Sequence, residues 1–225
     1  MEIKTILNSL VDLFFPMRCI HCNEVITAAQ TLCVSCIGDL PLTYWKLDDQ
    51  NKAFKQLYQY CRVEEASSLL IFTKSNVTQS ILHEMKYKNR PELGIDLADL
   101  VDLDLSIYDG IIPIPLHPKR LKKRGYNQVE LFAKTLAEKH QIPYCDHYLI
   151  RSKFNTSQVM KNKEDRMESL KNTFELTDSK IEGHFLIVDD LITTGATLSQ
   201  AILPFNQLPN VKVSVLTIAL SLIHI

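Results

Sequence analysis

A chain of 225 residues that is 46% hydrophobic and 23% charged can bury one sizeable core plus a small appendage, and a formal net charge of −1 leaves any anion binding to local patches. No run approaches the roughly 20 apolar residues that cross a bilayer. The opening MEIKTILNSLVDLFFP has neither a basic leading segment nor a small-residue cleavage site, which argues for a cytoplasmic address, where cysteines stay reduced or hold metal.

Ile3, Ile6, Leu7, Leu10, Val11 and Phe14 recur at helical spacing, so an amphipathic helix is expected over 3–14, ended by Pro16. Its stripe is read as packing on the protein. A membrane-surface helix would carry a basic polar face, and here Lys4 is the only basic residue.

CIHC and CVSC then place Cys19, Cys22, Cys33 and Cys36 as two C-x-x-C pairs with ten residues between them. Each pair can turn both sulfurs into one tetrahedral corner, and two corners complete a four-thiolate structural zinc site. A redox motif needs one such pair opening a helix. His21 falls outside the expected metal sphere, and Cys61 and Cys145 read as small buried residues. With all four positions taken by protein, the metal would hold a small zinc ribbon-like module together.

Residues 37–56 are polar and are expected to connect two units. Beyond them, 57–72 (LYQYCRVEEASSLLIF) alternates as a strand pair would, and 77–87 and 92–103 suit helices. YDGIIPIP supplies a buried strand, and NQVELFAKTLAEKHQ a helix opening near Asn127 with Val129, Leu131, Phe132 and Leu136 inward. HFLIVDD, ATLSQAILPFNQ and VKVSVLTIAL follow as strand, helix and strand. Such alternation predicts an α/β fold, a mostly parallel sheet with helices on both faces. The divisions expected are a helix over 1–18, a zinc module over 19–45 and the main domain over 57–225.

FLIVDDLITTGATL raises the central question, because two adjacent carboxylates at a strand end need a cation, a sugar or a positive side chain to meet them. Open α/β sheets bind ligands at the carboxyl ends of their strands. The turn that follows leads into a helix whose first N–H groups and positive dipole end suit an anion. Gly195 permits close backbone approach, and Thr193, Thr194 and Thr197 add hydroxyls. Phosphate donors and sugar or Mg²⁺ acceptors thus stand side by side, as a phosphorylated ribose requires. Neither a G-x-x-x-x-G-K-[ST] loop nor a G-x-G-x-x-G fingerprint is present, and a plain N-cap would need only one of these side chains.

HPKRLKKRGYNQ (117–128) carries five basic residues and no acid, directly after PIPLHP ends a strand at the ligand-binding edge. Gly125 and Tyr126 interrupt the run, as a mobile loop with a stacking ring would. Further basic segments are KYKNR (86–90) and RSKFNTSQVMKNK (151–163). In isolation a charge run is usually solvated surface.

LIVDDLITTGATL resembles the phosphoribosyl-pyrophosphate (PRPP) loop of type I phosphoribosyltransferases. That resemblance implies ribose hydroxyls on Asp189 and Asp190 and the 5′-phosphate on Thr193, Thr194, Gly195, Ala196 and Thr197. With the cysteine pairs, KYK (86–88), PIPLHPKRLKKRGYNQ (113–128), Arg151, Thr156, Gln158, Arg166, and Asn172 ahead of Phe174, the chain resembles the ComF family of phosphoribosyltransferase-like late competence proteins from about residue 16 to 218. The implied protein has a phosphoribosyltransferase fold and a zinc-bearing N-terminal module, and handles incoming single-stranded DNA during transformation, with other competence proteins as partners.

Two functions are then open. As an enzyme, Lys86, Lys88, Arg120 and Arg124 would stabilise pyrophosphate leaving Mg²⁺-bound PRPP while Asp189 and Asp190 orient the ribose. As a DNA handler, Lys86, Lys88, Lys119, Arg120, Lys122, Lys123, Arg124, Asn127 and Gln128 would track a strand, with Tyr87 and Tyr126 as stacking platforms. A salvage enzyme for an unidentified base is a third reading, its hood segment expected within 37–70.

Overall fold

The computed structural model describes residues 16–26, 31–151 and 173–222. The expected helix over 3–14, and Thr156, Gln158, Arg166 and Asn172, lie outside them. In chain order the elements are α1 (Val34–Gly38), α2 (Lys52–Tyr58), β1 (Ala66–Phe72), α3 (Val77–Tyr87), α4 (Leu93–Asp99), β2 (Gly110–Pro113), α5 (Pro118–Arg124), α6 (Glu130–His140), β3 (Leu149–Arg151), β4 (Phe174–Leu176), β5 (Gly183–Ile192), α7 (Ala196–Asn206) and β6 (Val211–Ser221).

Four strands form one parallel sheet in the order β1–β6–β5–β2, while β3 and β4 pair antiparallel beside it. The central strands are apolar on both faces, as a sheet covered twice must be. Along β5, Leu186 and Val188 pack with α3, α4 and α6, whereas Phe185 and Ile187 pack with α2 and α7. The α/β class expected from the alternating pattern is the one observed. The cysteine segment joins the first of these cores through Cys19, Leu32, Cys33 and Cys36. His21 Nδ1 meets Ser80 Oγ at 3.0 Å, tying that segment to α3.

This arrangement has a positional consequence. Of the two helices between β2 and β3, α6 covers one face, and the helix after β5, α7, covers the other. Where helices diverge to opposite faces, the carboxyl ends of the two strands open a crevice. Pairing between β2 and β5 stops at Pro113–Val188, and Ile114 N–H closes it with a 2.9 Å bond to the Val188 carbonyl. Beyond that point β5 runs on to Ile192, paired with β6 alone. Asp189 and Asp190 are therefore inside a strand whose β2 side has come free, rather than at its last residues as expected.

Other expectations change too. Residues 57–72 hold one strand, not two, since Leu57 and Tyr58 finish α2 and β1 begins at Ala66. The connector 37–56 is structured. Its stretch from Pro41 to Asp48 bonds along the outer edge of β1, with Thr43 N–H to the Leu69 carbonyl at 2.9 Å and Ile71 N–H to the Pro41 carbonyl at 2.9 Å. An otherwise open sheet edge is thereby covered. The helix expected over 92–103 ends at Asp99, and that expected near Asn127 begins at Glu130. The basic segment expected as a loop is the helix α5, with Pro118 at its first turn, His117 accepting from Lys119 N–H, and Gly125 closing it at φ +87°.

Asn51 fixes α2 against the sheet, accepting from Phe54 N–H at 3.1 Å and donating to the Ala66 carbonyl at 2.6 Å. Replacement by alanine removes a helix cap and leaves that carbonyl with one donor fewer. Asn51→Ala is expected to lower stability by about 1–2 kcal/mol, read as an earlier urea midpoint at unchanged slope; an unmoved midpoint would show that α2 is held by packing alone.

Candidate functional site

Successive residues of a strand point to opposite faces, and the two acids use this. Asp190 faces the α3 side, where Lys86 Nζ lies 2.8 Å from its Oδ2 and Gln128 Nε2 donates to the same oxygen at 2.6 Å. Gln128 is itself buried, and its Oε1 accepts from Arg124 Nη1. Asp189 faces the other way, its Oδ1 accepting from Asp190 N–H at 2.8 Å. Burial, with the neighbouring Asp190 charge adding to it, pushes the Asp189 carboxyl up to about 8, against the pull of Lys86 and Arg151. The costly pair is thus relieved in two ways, by a lysine–glutamine clasp on one acid and by retained protonation on the other.

Around the acids lies a cleft of about 720 Å³, walled by Ile114, Pro115 and Leu116 after β2, by the end of α3, by α5, and by Arg151 of β3. Five cations, Lys86, Arg120, Lys123, Arg124 and Arg151, face the two acids there. Burial and the nearby Arg120 charge pull Arg151 below the usual guanidinium range, while its guanidinium lies 4.9 Å over the Phe174 ring. Arg151 had no role assigned from sequence, because nothing local shows that a three-residue strand carries it to the cleft; Asn89, Pro115 and Leu116, which lie in quoted segments but carried no individual role, line the cleft too.

At the open end of β5, Gly195 takes φ +78° and precedes α7, whose start has no side-chain cap. An added Cβ at Gly195 would meet Leu57 Cδ2 at 3.3 Å, so α2 backs the turn closely. Ser199 returns its N–H and Oγ to the Gly195 carbonyl, each at 2.8 Å. The amides of Ala196, Thr197 and Leu198 have no carbonyl four residues behind them within the helix and point their dipoles outward. Thr193, Thr194, Ala196 and Thr197 are exposed, and Thr197 also lines the cleft.

The other expected residues divide. Lys86, Tyr87, Arg120, Lys123, Arg124, Tyr126 and Gln128 line the cleft, and Arg124 lies 5.8 Å from the centre of the Tyr87 ring. Lys88, Lys119 and Lys122 are exposed outside its lining. Tyr126 spends its hydroxyl on the Met85 carbonyl, and Asn127 Nδ2 donates to the Ile114 carbonyl at 2.9 Å, so both brace the walls.

Apart from this cleft, the Sγ atoms of Cys19, Cys22, Cys33 and Cys36 lie within 4.8 Å of one another and could hold a metal ion such as zinc. Against the push of burial, the amides of Cys22, Cys33 and His21 bring the Cys19 thiol down to about 6. Burial and the surrounding sulfurs push Cys36 up. Amides aimed at sulfur, and sulfurs that oppose one another's ionisation, make a site for a cation. Cys61 and Cys145 are buried singly, and burial raises both thiols.

Over 206 residues the chain is 30% identical to Competence protein F of Haemophilus influenzae, covering 83% of this chain and 90% of that protein. The chain belongs to the ComF family. It is also 27% identical to the DNA utilization protein YhgH of Escherichia coli O157:H7 across 81% of each chain, and 30% identical over 134 residues to Competence protein ComFC of Bacillus subtilis, across 57% of this chain and 53% of that one. No family model matches the chain. Among solved structures this ComF protein is similar to the glutamine PRPP amidotransferase of B. subtilis (TM-score 0.36, 20% identity, 56% of this chain and 26% of that one). It is similar as well to the orotate phosphoribosyltransferase of Aeropyrum pernix (TM-score 0.35, 13% identity, 63% and 76%). No helix among the described residues is long and apolar enough to cross a membrane.

The raised Asp189 carboxyl makes a signed prediction. Its protonated form is favoured by folding, so the stability it contributes is complete below the unfolded carboxyl range and is lost as pH rises towards about 8. Asp189→Asn cannot ionise. Its stability relative to the unsubstituted protein is expected to improve steadily from pH 5 to pH 8 and then level off, as measured by urea unfolding; a difference constant across that range would contradict the burial argument.

Proposed function

We propose that this ComF protein holds a phosphorylated ribose at the junction of β5 and α7 and binds single-stranded DNA along the basic wall of the same cleft, as a DNA-handling protein of natural competence. The observation that carries the reading is the juxtaposition itself: two acids on a strand freed of its neighbour, running within six residues into an uncapped helix start, opposite five cations. Acids accept ribose hydroxyls, the amides at the start of α7 take the 5′-phosphate, and the cations meet a pyrophosphate or the next phosphates of a strand. Asp189, kept protonated by its surroundings, can also donate to a sugar oxygen. The names carried by its relatives, competence and DNA utilization, support the biological role.

Among the described residues both contacts to Asp190 end on Oδ2 and none reaches Oδ1. Asp190 would therefore suit a hydrated Mg²⁺ that arrives on a pyrophosphate, where the ion supplies charge neutralisation. Catalytic transfer from PRPP to a nitrogenous base is the second reading. It is favoured by Lys86, Arg120 and Arg124 standing where a leaving pyrophosphate would build charge. Release of pyrophosphate in a panel of bases separates it from binding alone. In the N-terminal segment the four cysteines would hold one structural zinc.

Three outcomes test these assignments. Asp190→Ala is expected to abolish calorimetric binding of Mg²⁺·PRPP while leaving the unfolding transition cooperative; undiminished affinity would remove the sugar-phosphate assignment. For a fluorescent oligothymidine, affinity should fall linearly on a log–log plot against salt. An Arg120/Lys123/Arg124 triple alanine variant should reduce that slope by about 2, since each cation that neutralises a single-strand phosphate adds near 0.7 to it. An unchanged slope would place the strand elsewhere. Protein purified without chelator should contain about one zinc per chain, and Cys33→Ser should lose it and melt earlier; full-strength folding without metal would refute a structural role.

A further inference from the structure

We infer that Gln128 is the positioning residue of the acid pair, clamping Asp190 Oδ2 so that Oδ1 stays turned to the ligand when Lys86 leaves to meet a phosphate. This rests on the reading of the acid pair as a sugar-phosphate site and adds to it the residue that keeps the pair in order.

Three consecutive side chains carry the argument. Tyr126 bonds the carbonyl of Met85 on α3, Asn127 bonds the carbonyl of Ile114 just after β2, and Gln128 bonds the carboxylate of Asp190 on β5. One tripeptide therefore fastens three walls of the cleft to each other. Gln128 is 5% exposed, and both ends of its amide are taken by protein partners. Which end of the amide faces the acid is settled by Arg124, whose guanidinium can only donate and therefore claims Oε1, leaving Nε2 for Asp190.

Two donors on a single carboxylate oxygen need a reason. Lys86 is the partly exposed one, its side chain 22% accessible, on a flexible stem that also lines the cleft. A phosphate entering the cleft competes for that ammonium. Were Lys86 the sole anchor, its departure would leave the Asp190 side chain free to rotate. Gln128 is neutral and buried, so a phosphate has little hold on it, and the carboxylate keeps its orientation. The same bond connects the basic wall to the acids, since Arg124 holds the amide that holds Asp190.

Calorimetric titration with ribose 5-phosphate between pH 5.5 and 8.5 tests this, each variant being read as its affinity ratio to the unsubstituted protein at the same pH, which cancels the titration of the ligand's own phosphate. Gln128→Leu is expected to weaken binding about tenfold or more at every pH, the loss typical of a hydrogen bond to a charged group. Gln128→Glu keeps the shape but sets a second carboxylate against Asp190. Its loss should match or exceed that of the leucine variant at pH 8.5 and shrink towards pH 5.5, where the two carboxyls can share a proton. Should the leucine variant fail to fold, the Gln128→Glu ratio decides alone. Ratios near one for Gln128→Glu, or a loss that does not change with pH, would overturn the positioning role while leaving the sugar-phosphate site standing. Failure of the unsubstituted protein to bind the sugar phosphate would overturn that site and this inference together.

Discussion

Two carboxylates on consecutive residues of a buried strand are a liability that the rest of this molecule is arranged to meet. Strand geometry turns them to opposite faces of the sheet, so each meets its own set of partners. Asp190 is met by Lys86 and Gln128, and Asp189 by its neighbour's amide and by a retained proton. A largely buried ion pair of this kind is weak as a source of stability. On the proposed reading, its presence at the mouth of a crevice is that of a site kept ready for a ligand.

The crevice follows from chain topology. β2 departs at Ile114 while β5 continues beside β6, and the helices that follow these two strands go to opposite faces. That departure frees one side of β5 at the two acids, and the turn at Gly195 then delivers an uncapped helix start a few residues later. α5 and Arg151 supply positive charge across the gap, and α2 supports the turn from behind through Leu57. The cysteine segment stands apart from this chemistry. It is packed into the core shared by α3 and fastened there by His21, so its metal would influence the cleft only by steadying the helix that carries Lys86.

What could be read from the residues was local. The run FLIVDDLITTGATL spells strand, turn and helix within fourteen positions, and the doubled C-x-x-C spacing points to a four-sulfur cluster that the fold does assemble. The helix over Val77–Tyr87 shows its apolar face without help from tertiary structure. What escaped was long-range or outweighed. Gln128 and Asp190 are 62 positions apart, and neither announces the other. Arg151 reaches the acids only because a short antiparallel pair turns it inward. α2 lies in a weakly patterned stretch where Lys52 and Lys55 flank Phe54, and what holds it is a long-range bond from Asn51 to β1. α5 was legible in principle: Pro118 and Gly125 are start and stop signals, but Gly125 with Tyr126 suggested a mobile loop instead.

A crystal structure of the protein with Mg²⁺·PRPP tests the central claim most directly. The account predicts the 5′-phosphate on the amides of residues 194–197, the ribose hydroxyls on Asp189 and Asp190, and the pyrophosphate turned towards Lys86, Arg120 and Arg124. A sugar phosphate bound anywhere else, with Lys86 still paired to Asp190, would contradict it.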